Sequence, residues 1–422
     1  MRFVPAGLVL LLTAALFAQS APQATRQLES VSVPITLDQG RVVIDVDLLL
    51  ADGTTERIRG WVDNGNPELC MTQRIASLLG LTVSCDQQFC SAMPKSPDFS
   101  PQIVIGGMKV ALSQAGEQVR EIGIPRGASA LAPGMSAEIN IPSSVLRHYD
   151  VLFNFPDRQF SIGRIGSLKF KGVKSKMRVN ETDARIQIPG KIENKNYDLG
   201  LDLGSSVSFL SDELFAKISK AHPDWPRMTG LVGPFNTGEY LDEPKWKVMR
   251  LDRLQYGPLF LTDVAVADLS SGLGADVPAG ILPSCMTARW KDGSLVAVLS
   301  AEALSNYRIG LDYAHATIYF DIGRTNSFPG FDVVGLILRP EGDTAFTIAG
   351  VADFDGKPSV ANVRVGDRLI AVDDIPVAES TLGQAWALLE SSPGQERKLT
   401  IERAGQQFRV AAKGQHFLAP QL

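Results

Sequence analysis

The stretches Val62-Asp63-Asn64-Gly65 and Leu201-Asp202-Leu203-Gly204-Ser205 decide the fold, because each carries an apolar strand into a sharp Asp-X-Gly turn. Their aspartates are 139 positions apart (202 − 63), and at the same offset Thr72 meets Ser211. Both residue types are good helix N-caps, so we expect a short helix after each turn. A supersecondary plan that is written twice predicts an internal duplication.

The ends of the two halves also match, but at a larger offset. Leu146 and Tyr149 precede a stretch with alternating apolar residues, and Leu304 and Tyr307 precede a similar stretch 158 positions later. The two offsets differ by 19 (158 − 139), so the second half is longer by that number of residues. Residues 283–296 are one location for the insertion.

Asp63 and Asp202 face each other if the two halves pack about a pseudo-twofold axis. Carboxylates that lie a few ångström apart share one proton and titrate as a unit. One of them then takes a proton from a bound water while the other donates one to an amide carbonyl oxygen, which hydrolyses a peptide bond without a covalent intermediate. The alternative for each aspartate is a structural role, since Asp-X-Gly turns are common in β proteins.

A third region begins near residue 331 and has a different pattern. Short strands alternate with turns up to Val365-Gly366-Asp367, a helical stretch follows at residues 381–389, and Pro393-Gly394 precedes two closing strands. One helix among several short strands predicts an α+β unit.

At these residues the sequence resembles known proteins. The two Asp-X-Gly turns are similar to the hydrophobic-Asp-Thr/Ser-Gly turns of aspartic proteases, and residues 304–320 resemble the end of a retropepsin-like lobe. Residues 331–336, Val365-Gly366-Asp367 and Pro393-Gly394 resemble the PDZ domain that follows such lobes in bacterial aspartyl-protease-like proteins.

The resemblance implies a mainly β chain with two retropepsin/pepsin-like lobes, at residues 28–166 and 167–325, that are related by a pseudo-twofold axis. An α+β PDZ domain at residues 331–414 follows, in which a bound peptide would add a strand beside the helix. The alternative is a PDZ domain that is closed by its own packing. The implied site residues are the catalytic Asp63 and Asp202, the supporting Asn64, Gly65, Gly204 and Ser205, and the peptide-binding Val334, Gly335, Leu336 and Ile337.

The positions after the two aspartates depart from the family pattern. Family members carry threonine or serine there, and the hydroxyl reaches across to the opposite lobe. Asn64 is able to make a hydrogen bond across the interface, whereas Leu203 is not, and an unmade buried hydrogen bond costs ~1–3 kcal/mol. Ser205 is a candidate to orient Asp202.

Four further segments have expected structural roles. Residues 139–141 and 280–282 are expected to back the two turns, and flaps over the site are expected at residues 85–90 and 230–240. Each flap candidate is alternatively an ordinary surface loop.

The composition narrows the classes of partner. The 422 residues allow about two or three domains, and 45% of them are apolar, which is enough for a sizeable core. The net charge of −5 comes without a basic patch or a polybasic run, so we expect neither nucleic acid nor a membrane surface as a partner. No cofactor or metal is expected, because no histidine sits at a ligand spacing.

The N-terminus predicts export. Residues 8–17 form an apolar run that small residues follow, so residues 1–20 are expected to be a signal peptide for a periplasmic or secreted protein. The alternative is a membrane anchor; after cleavage no integral membrane segment is expected. Export permits disulfides, and Cys85 and Cys90 are close enough for a local one, although four free cysteines are the alternative.

Two functions follow from these patterns. The first is an exported aspartic endopeptidase that hydrolyses polypeptides and uses its PDZ domain to bind a peptide or a C-terminus. The second is a catalytically inactive scaffold with the protease fold that acts through PDZ peptide binding. Retention of both aspartates favours the enzyme, and Leu203 favours the scaffold.

Overall fold

The computed structural model describes residues 28–85, 90–93, 99–113, 122–124, 137–233, 243–268, 296–322, 332–341 and 345–418. Over these residues the protein is mainly β, as the sequence predicts. The expected signal peptide, the 280–282 stretch and nearly all of the expected insertion lie outside the described residues. The central residues of both flap candidates lie outside them as well.

The first part of the chain contains twelve named strands and two short helices. The strands are β1 (Ser30–Pro34), β2 (Thr36–Asp38), β3 (Arg41–Leu49), β4 (Thr55–Asp63), β5 (Thr82–Cys85), β6 (Cys90–Met93), β7 (Gln102–Ile105), β8 (Met108–Ala111), β9 (Ile122–Ile124), β10 (Ile139–Pro142), β11 (Tyr149–Asn154) and β12 (Gln159–Arg164). The helices are α1 (Gln73–Leu78) and α2 (Ser143–Leu146). The Thr72 hydroxyl accepts a hydrogen bond from the Ile75 N–H, so α1 has the predicted N-cap.

The second part repeats this plan around one longer helix. Its strands are β13 (Val173–Lys176), β14 (Arg178–Val179), β15 (Ile186–Ile192), β16 (Lys195–Leu201), β17 (Ser208–Leu210), β18 (Arg227–Thr229), β19 (Lys247–Tyr256), β20 (Leu259–Asp268), β21 (Ala297–Leu299), β22 (Tyr307–Asp312) and β23 (Thr317–Ile322). Its α-helix is α3 (Asp212–Ala221), and two 3-10 turns lie at Glu243–Lys245 and Glu302–Leu304. The Ser211 hydroxyl accepts from the Leu214 N–H, which confirms the second predicted cap.

The third region is a small sheet with one helix. Its strands are β24 (Asp332–Val333), β25 (Leu336–Glu341), β26 (Ala345–Val351), β27 (Asp353–Phe354), β28 (Lys357–Pro358), β29 (Arg368–Val372), β30 (Ile375–Pro376), β31 (Glu396–Arg403), β32 (Gln406–Lys413) and β33 (Gln415–His416). The helix is α4 (Leu382–Leu389), which Thr381 and Gln384 start with a capping box. The main sheet has the order β25-β26-β29-β31-β32, so β25 is an edge strand.

Strands β11 and β22 are antiparallel and join the two halves of the chain in one six-stranded sheet. Leu152 pairs with Gly310, which is its own equivalent at the 158-residue offset (310 − 152). The residue before Leu152 pairs with the equivalent of the residue after it, and the residue after Leu152 pairs with the equivalent of the residue before it. The register therefore defines a local twofold axis between Leu152 and Gly310.

Each aspartate turn is backed by a parallel strand. β10 places Ile141 beside Val62 of β4, and β21 places Leu299 beside Leu201 of β16. The 158-residue offset carries Ile141 onto Leu299 (299 − 141), so the two backing strands are equivalent. The expectation that residues 280–282 back the second turn is therefore wrong, because the extra residues of the second half all precede β21.

The third region packs on the second half of the chain. It has its own apolar core, but a further cluster combines Phe209 and Trp246 of the second half with Ile337 and Phe417. Strand β18 also pairs with β27, which extends the sheet of the second half into the third region. Phe417 lies beyond the expected end of the PDZ domain at residue 414, so the packed chain continues past that limit.

Candidate active site

Asp63 and Asp202 each lie at the end of a buried strand. β4 ends at Asp63 and β16 ends one residue before Asp202, and the two residues are 0% and 2% exposed. In each turn the N–H of the glycine two residues later donates to the carboxylate Oδ1, from Gly65 at 3.2 Å and from Gly204 at 2.9 Å. Each turn thus holds one carboxylate oxygen in a fixed position.

The two turns contact each other through their glycines. A Cβ atom built on Gly65 would lie 2.5 Å from Oδ1 of Asp202, and one built on Gly204 would lie 2.5 Å from Oδ1 of Asp63. These distances are too short for a real Cβ atom, so glycine is needed at both positions for the turns to come this close. The structure therefore brings each carboxylate against the opposite turn.

Asn64 connects the two turns by hydrogen bonds. Its Nδ2 donates to the Leu201 carbonyl oxygen at 2.9 Å, and its Oδ1 accepts from the Leu203 N–H at 2.8 Å. These bonds hold the backbone on both sides of Asp202. Leu203 is the equivalent of Asn64 (203 − 64 = 139) and is buried in the main apolar core. The polar connection between the turns is therefore made by Asn64 from one side.

Trp61 and Arg41 belong to the site, although the sequence analysis missed them. The Trp61 indole Nε1–H donates to Oδ2 of Asp63 at 3.3 Å, and the guanidinium carbon of Arg41 lies 5.9 Å from the centroid of the Trp61 ring. Trp61 and Arg41 are each 1% exposed. Strand alternation was the available signal for Trp61, because residues two apart share one face of β4.

The environment of Asp63 changes its acidity. Burial raises the pKa of Asp63 to about 6, while the hydrogen bonds from Trp61 and Gly65 and the positive charge of Arg41 oppose that rise in pKa. A carboxyl group with this pKa exchanges its proton in mildly acidic solution. A raised pKa is what is expected of a carboxyl group that holds the proton shared by two carboxylates.

Backbone groups position Asp202. Its N–H donates to the Leu299 carbonyl oxygen at 2.8 Å, so β21 fixes the start of the turn. The Ser205 hydroxyl donates to the Val207 carbonyl oxygen at 3.0 Å. The hydroxyl hydrogen of Ser205 is therefore used within its own loop.

The aspartate pair is covered. The turn between β2 and β3 lies over the second aspartate loop, where a Cβ atom built on Gly40 would lie 3.2 Å from the Ser206 carbonyl oxygen. Two surface cavities, of about 680 and 600 Å³, lie against α3 and against the β15–β16 hairpin, and neither is lined by either aspartate. A peptide reaches the pair only if a covering segment moves.

The expected peptide-binding residues lie at the start of β25. All four positions, 334–337, are buried. A Cβ atom built on Gly335 would meet the ring of Phe417, with Cε1 at 3.1 Å. Trp386, on α4, is partly buried against both the third-region core and the cluster shared with the second half. The Phe417 ring therefore covers the chain at Gly335, just before β25.

Three further observations concern the cysteines, metal binding and membrane crossing. Cys85 and Cys90 form a disulfide between β5 and β6, which confirms that pairing, and Cys70 is buried. Within the described ranges, no three His, Cys, Asp or Glu side chains are grouped so as to hold a metal ion. None of the helices in that part of the chain has the length and apolar character needed to cross a bilayer.

Comparison with known proteins finds similarity among solved structures alone. No family model and no curated protein sequence matches this chain. Among solved structures, the crystal structure of an aspartic proteinase from Irpex lacteus is similar at 14% sequence identity and a TM-score of 0.39. The match covers 71% of this chain and 99% of that protein. A TM-score this low does not establish a shared fold, so the chemistry of the pair rests on its own geometry.

Proposed function

We propose that the protein is an aspartic-type endopeptidase that hydrolyses peptide bonds in polypeptides through Asp63, Asp202 and an activated water. The observation that carries this proposal is the mutual contact of two equivalent turns, in which the glycine of each lies against the carboxylate of the other. Two buried carboxylates in such a site do not both ionise easily, so they share a proton.

The reaction needs one proton on the pair. The ionised carboxylate takes a proton from water, and the protonated one donates to the carbonyl oxygen of the scissile amide. Burial raises the pKa of Asp63 to about 6, so the pair holds its proton below that pH and loses it above. Hydrolysis is therefore expected in mildly acidic solution and is expected to fall as the pH rises through about 6.

The test is cleavage of a peptide library by the purified protein from about pH 4 to about pH 8. We expect Asp63→Asn and Asp202→Asn each to reduce kcat/KM by about a thousandfold or more, because the pair then lacks one of its two acid–base roles. A statine peptide is expected to inhibit, since its hydroxyl mimics the tetrahedral adduct. Asp224→Asn, at an exposed position, is the control. Unchanged cleavage by Asp202→Asn would disprove the assignment.

A second function, a peptide-binding scaffold without catalysis, is favoured by one specific observation. Leu203, which is the equivalent of Asn64, is packed in the apolar core and makes no side-chain hydrogen bond to the first turn. In a scaffold the two aspartates serve as structural turn residues. Binding of extended peptides without cleavage at any pH supports this function over the first.

The architecture and location belong to the same proposal. We infer two protease-like lobes at residues 28–166 and 167–325, a PDZ domain that starts near residue 331, and export with removal of residues 1–20. The local twofold between β11 and β22, the separate core of the third region, and the Cys85–Cys90 disulfide support this inference. The N-terminal sequence of the protein recovered from the periplasm or medium tests export, and a chain that retains residue 1 contradicts it.

A further inference from the structure

The turn that joins β2 to β3, here called turn 38–41, is a two-residue hairpin turn with a buried tip. Gln39 and Gly40 have φ angles of 51° and 85°, and positive values at both central positions are typical of type I′ turns. Connecting turns normally lie in solvent, yet Asp38, Gln39 and Arg41 are all buried. Asp38 binds the guanidinium of Arg59, and the residues that follow it contact other parts of the chain on two sides.

On one side, turn 38–41 contacts the edge strand β25. Opposite Leu338, the N–H and C=O of Ile348 bond to residues 367 and 366 on the far side of β26. Leu338 is therefore in a non-hydrogen-bonded pair, and its own backbone groups point to the free edge. Nε2 of Gln39 donates to the Leu338 carbonyl oxygen at 3.1 Å, so it uses the acceptor that an added strand would use.

Strand β2, which leads into the turn, lies against α4 across the groove from β25. A Cβ atom built on Gly383, in the first turn of α4, would lie 2.6 Å from Cγ2 of Thr36 and 2.9 Å from the Leu37 carbonyl oxygen. The contact is therefore close enough to need glycine at position 383. Strand β2 and turn 38–41 thus lie where a peptide that adds to β25 would lie.

On the other side, the same turn contacts the aspartate loops. Gly40 lies against the Ser206 backbone, and Arg41 lies over the ring of Trp61. The indole of Trp61 in turn donates to Asp63. Four consecutive residues therefore connect the free edge of the third region to the aspartate pair.

We propose that turn 38–41 is an internal occupant of the groove between β25 and α4, and that an extended polypeptide segment displaces it by adding to β25. Displacement moves Arg41 away from Asp63 and opens the covered site. The effect on catalysis rests on the proposed peptidase function, whereas the displacement itself does not.

The chemistry of the groove defines the partner. Phe417 closes the end of the groove at Gly335, so the partner is an internal extended segment rather than a free C-terminus. Such a segment supplies a backbone N–H to the Leu338 carbonyl oxygen in place of the Gln39 amide. A peptide with blocked ends is therefore a suitable probe.

The experiment uses the purified full chain and an acetylated, amidated peptide with the sequence of residues 33–43, VPITLDQGRVV. Gln39→Ala removes the hydrogen bond to Leu338, and Gln159→Ala, in the exposed contact with Ser32, is the matched control. Gly383→Ala places a methyl group against Thr36 and the Leu37 carbonyl oxygen and is expected to loosen β2 from α4.

Peptide affinity and amide hydrogen exchange are measured for each variant. We expect Gln39→Ala to bind the peptide about fivefold more tightly than the wild type or Gln159→Ala, because the occupant has lost one hydrogen bond. Binding is expected to slow exchange at residues 336–341 and to speed exchange at residues 58–66 severalfold. Gly383→Ala is likewise expected to bind the peptide more tightly than the wild type, because the added methyl group weakens the contact of β2 with α4.

Equal affinity for the wild type, Gln39→Ala and Gly383→Ala overturns the proposal, and so does binding that leaves exchange at residues 58–66 unchanged. Peptide hydrolysis is recorded in parallel. Absence of hydrolysis in every variant, with the exchange changes present, counts against the peptidase function and leaves the displacement supported.

Discussion

Asn64 and Leu203 occupy equivalent positions after the two aspartates, but they stabilise the site in different ways. Asn64 makes hydrogen bonds of 2.9 and 2.8 Å to the backbone of the second turn. Leu203 contributes apolar burial instead, because its side chain has no polar atom. The interface between the turns is therefore held by polar contacts from the first half and by packing from the second.

The contribution of Leu203 is tested by Leu203→Thr. We expect the melting temperature to fall, because a buried apolar side chain is shortened and a hydroxyl is introduced, at a cost of about 1–3 kcal/mol. We expect kcat to rise, because the hydroxyl is placed to bond to the first turn as Asn64 bonds to the second.

Leu201→Thr is the matched control for that variant, since Leu201 is equally buried on the same segment but precedes the aspartate. It is expected to lower the melting temperature without raising kcat. A decrease in kcat in both variants contradicts a polar role for position 203 and supports the scaffold.

At the scale of elements, the third region is held by short segments outside its main sheet. β33 pairs with β24, and the ring of Phe417 stacks on Phe354 with centroids 5.6 Å apart. Phe417 also lies against Gly335 at the start of β25. The last described residues of the chain are thus part of the packing between the third region and the second half.

Phe417→Ala tests the importance of this segment. We expect the free energy of unfolding to fall by about 3–5 kcal/mol, the usual cost of removing a buried phenylalanine ring. Phe260→Ala is the control, since Phe260 is 69% exposed on β20, and its effect is expected to stay within about 0.5 kcal/mol. Thermal melting of both variants measures the difference. Equal melting temperatures would place residue 417 outside the packed structure.

At the scale of the whole molecule, a buried carboxyl group lies where the second half meets the third region. Glu243 accepts hydrogen bonds from the N–H groups of Val232, at 2.6 Å, and Gly233, and its side chain lies against Gly350. Burial raises the pKa of Glu243 to about 7, although these hydrogen bonds oppose the rise in pKa. The pKa of Asp63 is raised by burial in the same direction.

Glu243→Gln tests the coupling of this contact to pH. A carboxyl pKa that is higher in the folded state stabilises the fold fully below the usual value of 4.5, and this stabilisation is lost as the pH rises through about 7. We expect the wild-type free energy of unfolding, and with it the melting temperature, to fall between about pH 5 and about pH 8. The variant is expected to lose part of that fall, on the order of 1–3 kcal/mol of unfolding free energy.

Melting curves at the two pH values measure this effect, and Glu396→Gln, at an exposed position, is the control. A variant whose melting temperature depends on pH as steeply as that of the wild type shows that Glu243 does not ionise within this range.

Local features of this protein were predictable from the sequence by itself. The duplicated Asp-X-Gly turns, the Thr72 and Ser211 caps and the Cys85–Cys90 disulfide each depend on residues within a few positions of one another. Their pattern therefore fixes the backbone with little help from the rest of the chain. The equivalence of the two halves was recognisable because both contain an Asp-X-Gly turn followed by a helix cap.

The tertiary structure alone decided which strand backs Asp202, which side chains surround Asp63, and what fills the groove beside β25. The strand that backs Asp202 was predicted at residues 280–282 instead of at β21, because a long insertion separates β21 from the turn that it supports. The Gln39–Leu338 hydrogen bond joins residues 299 positions apart, and no local pattern encodes such a contact. It exists because the apolar faces of the second half and the third region pack together and bring β25 within hydrogen-bonding distance of the Gln39 amide group.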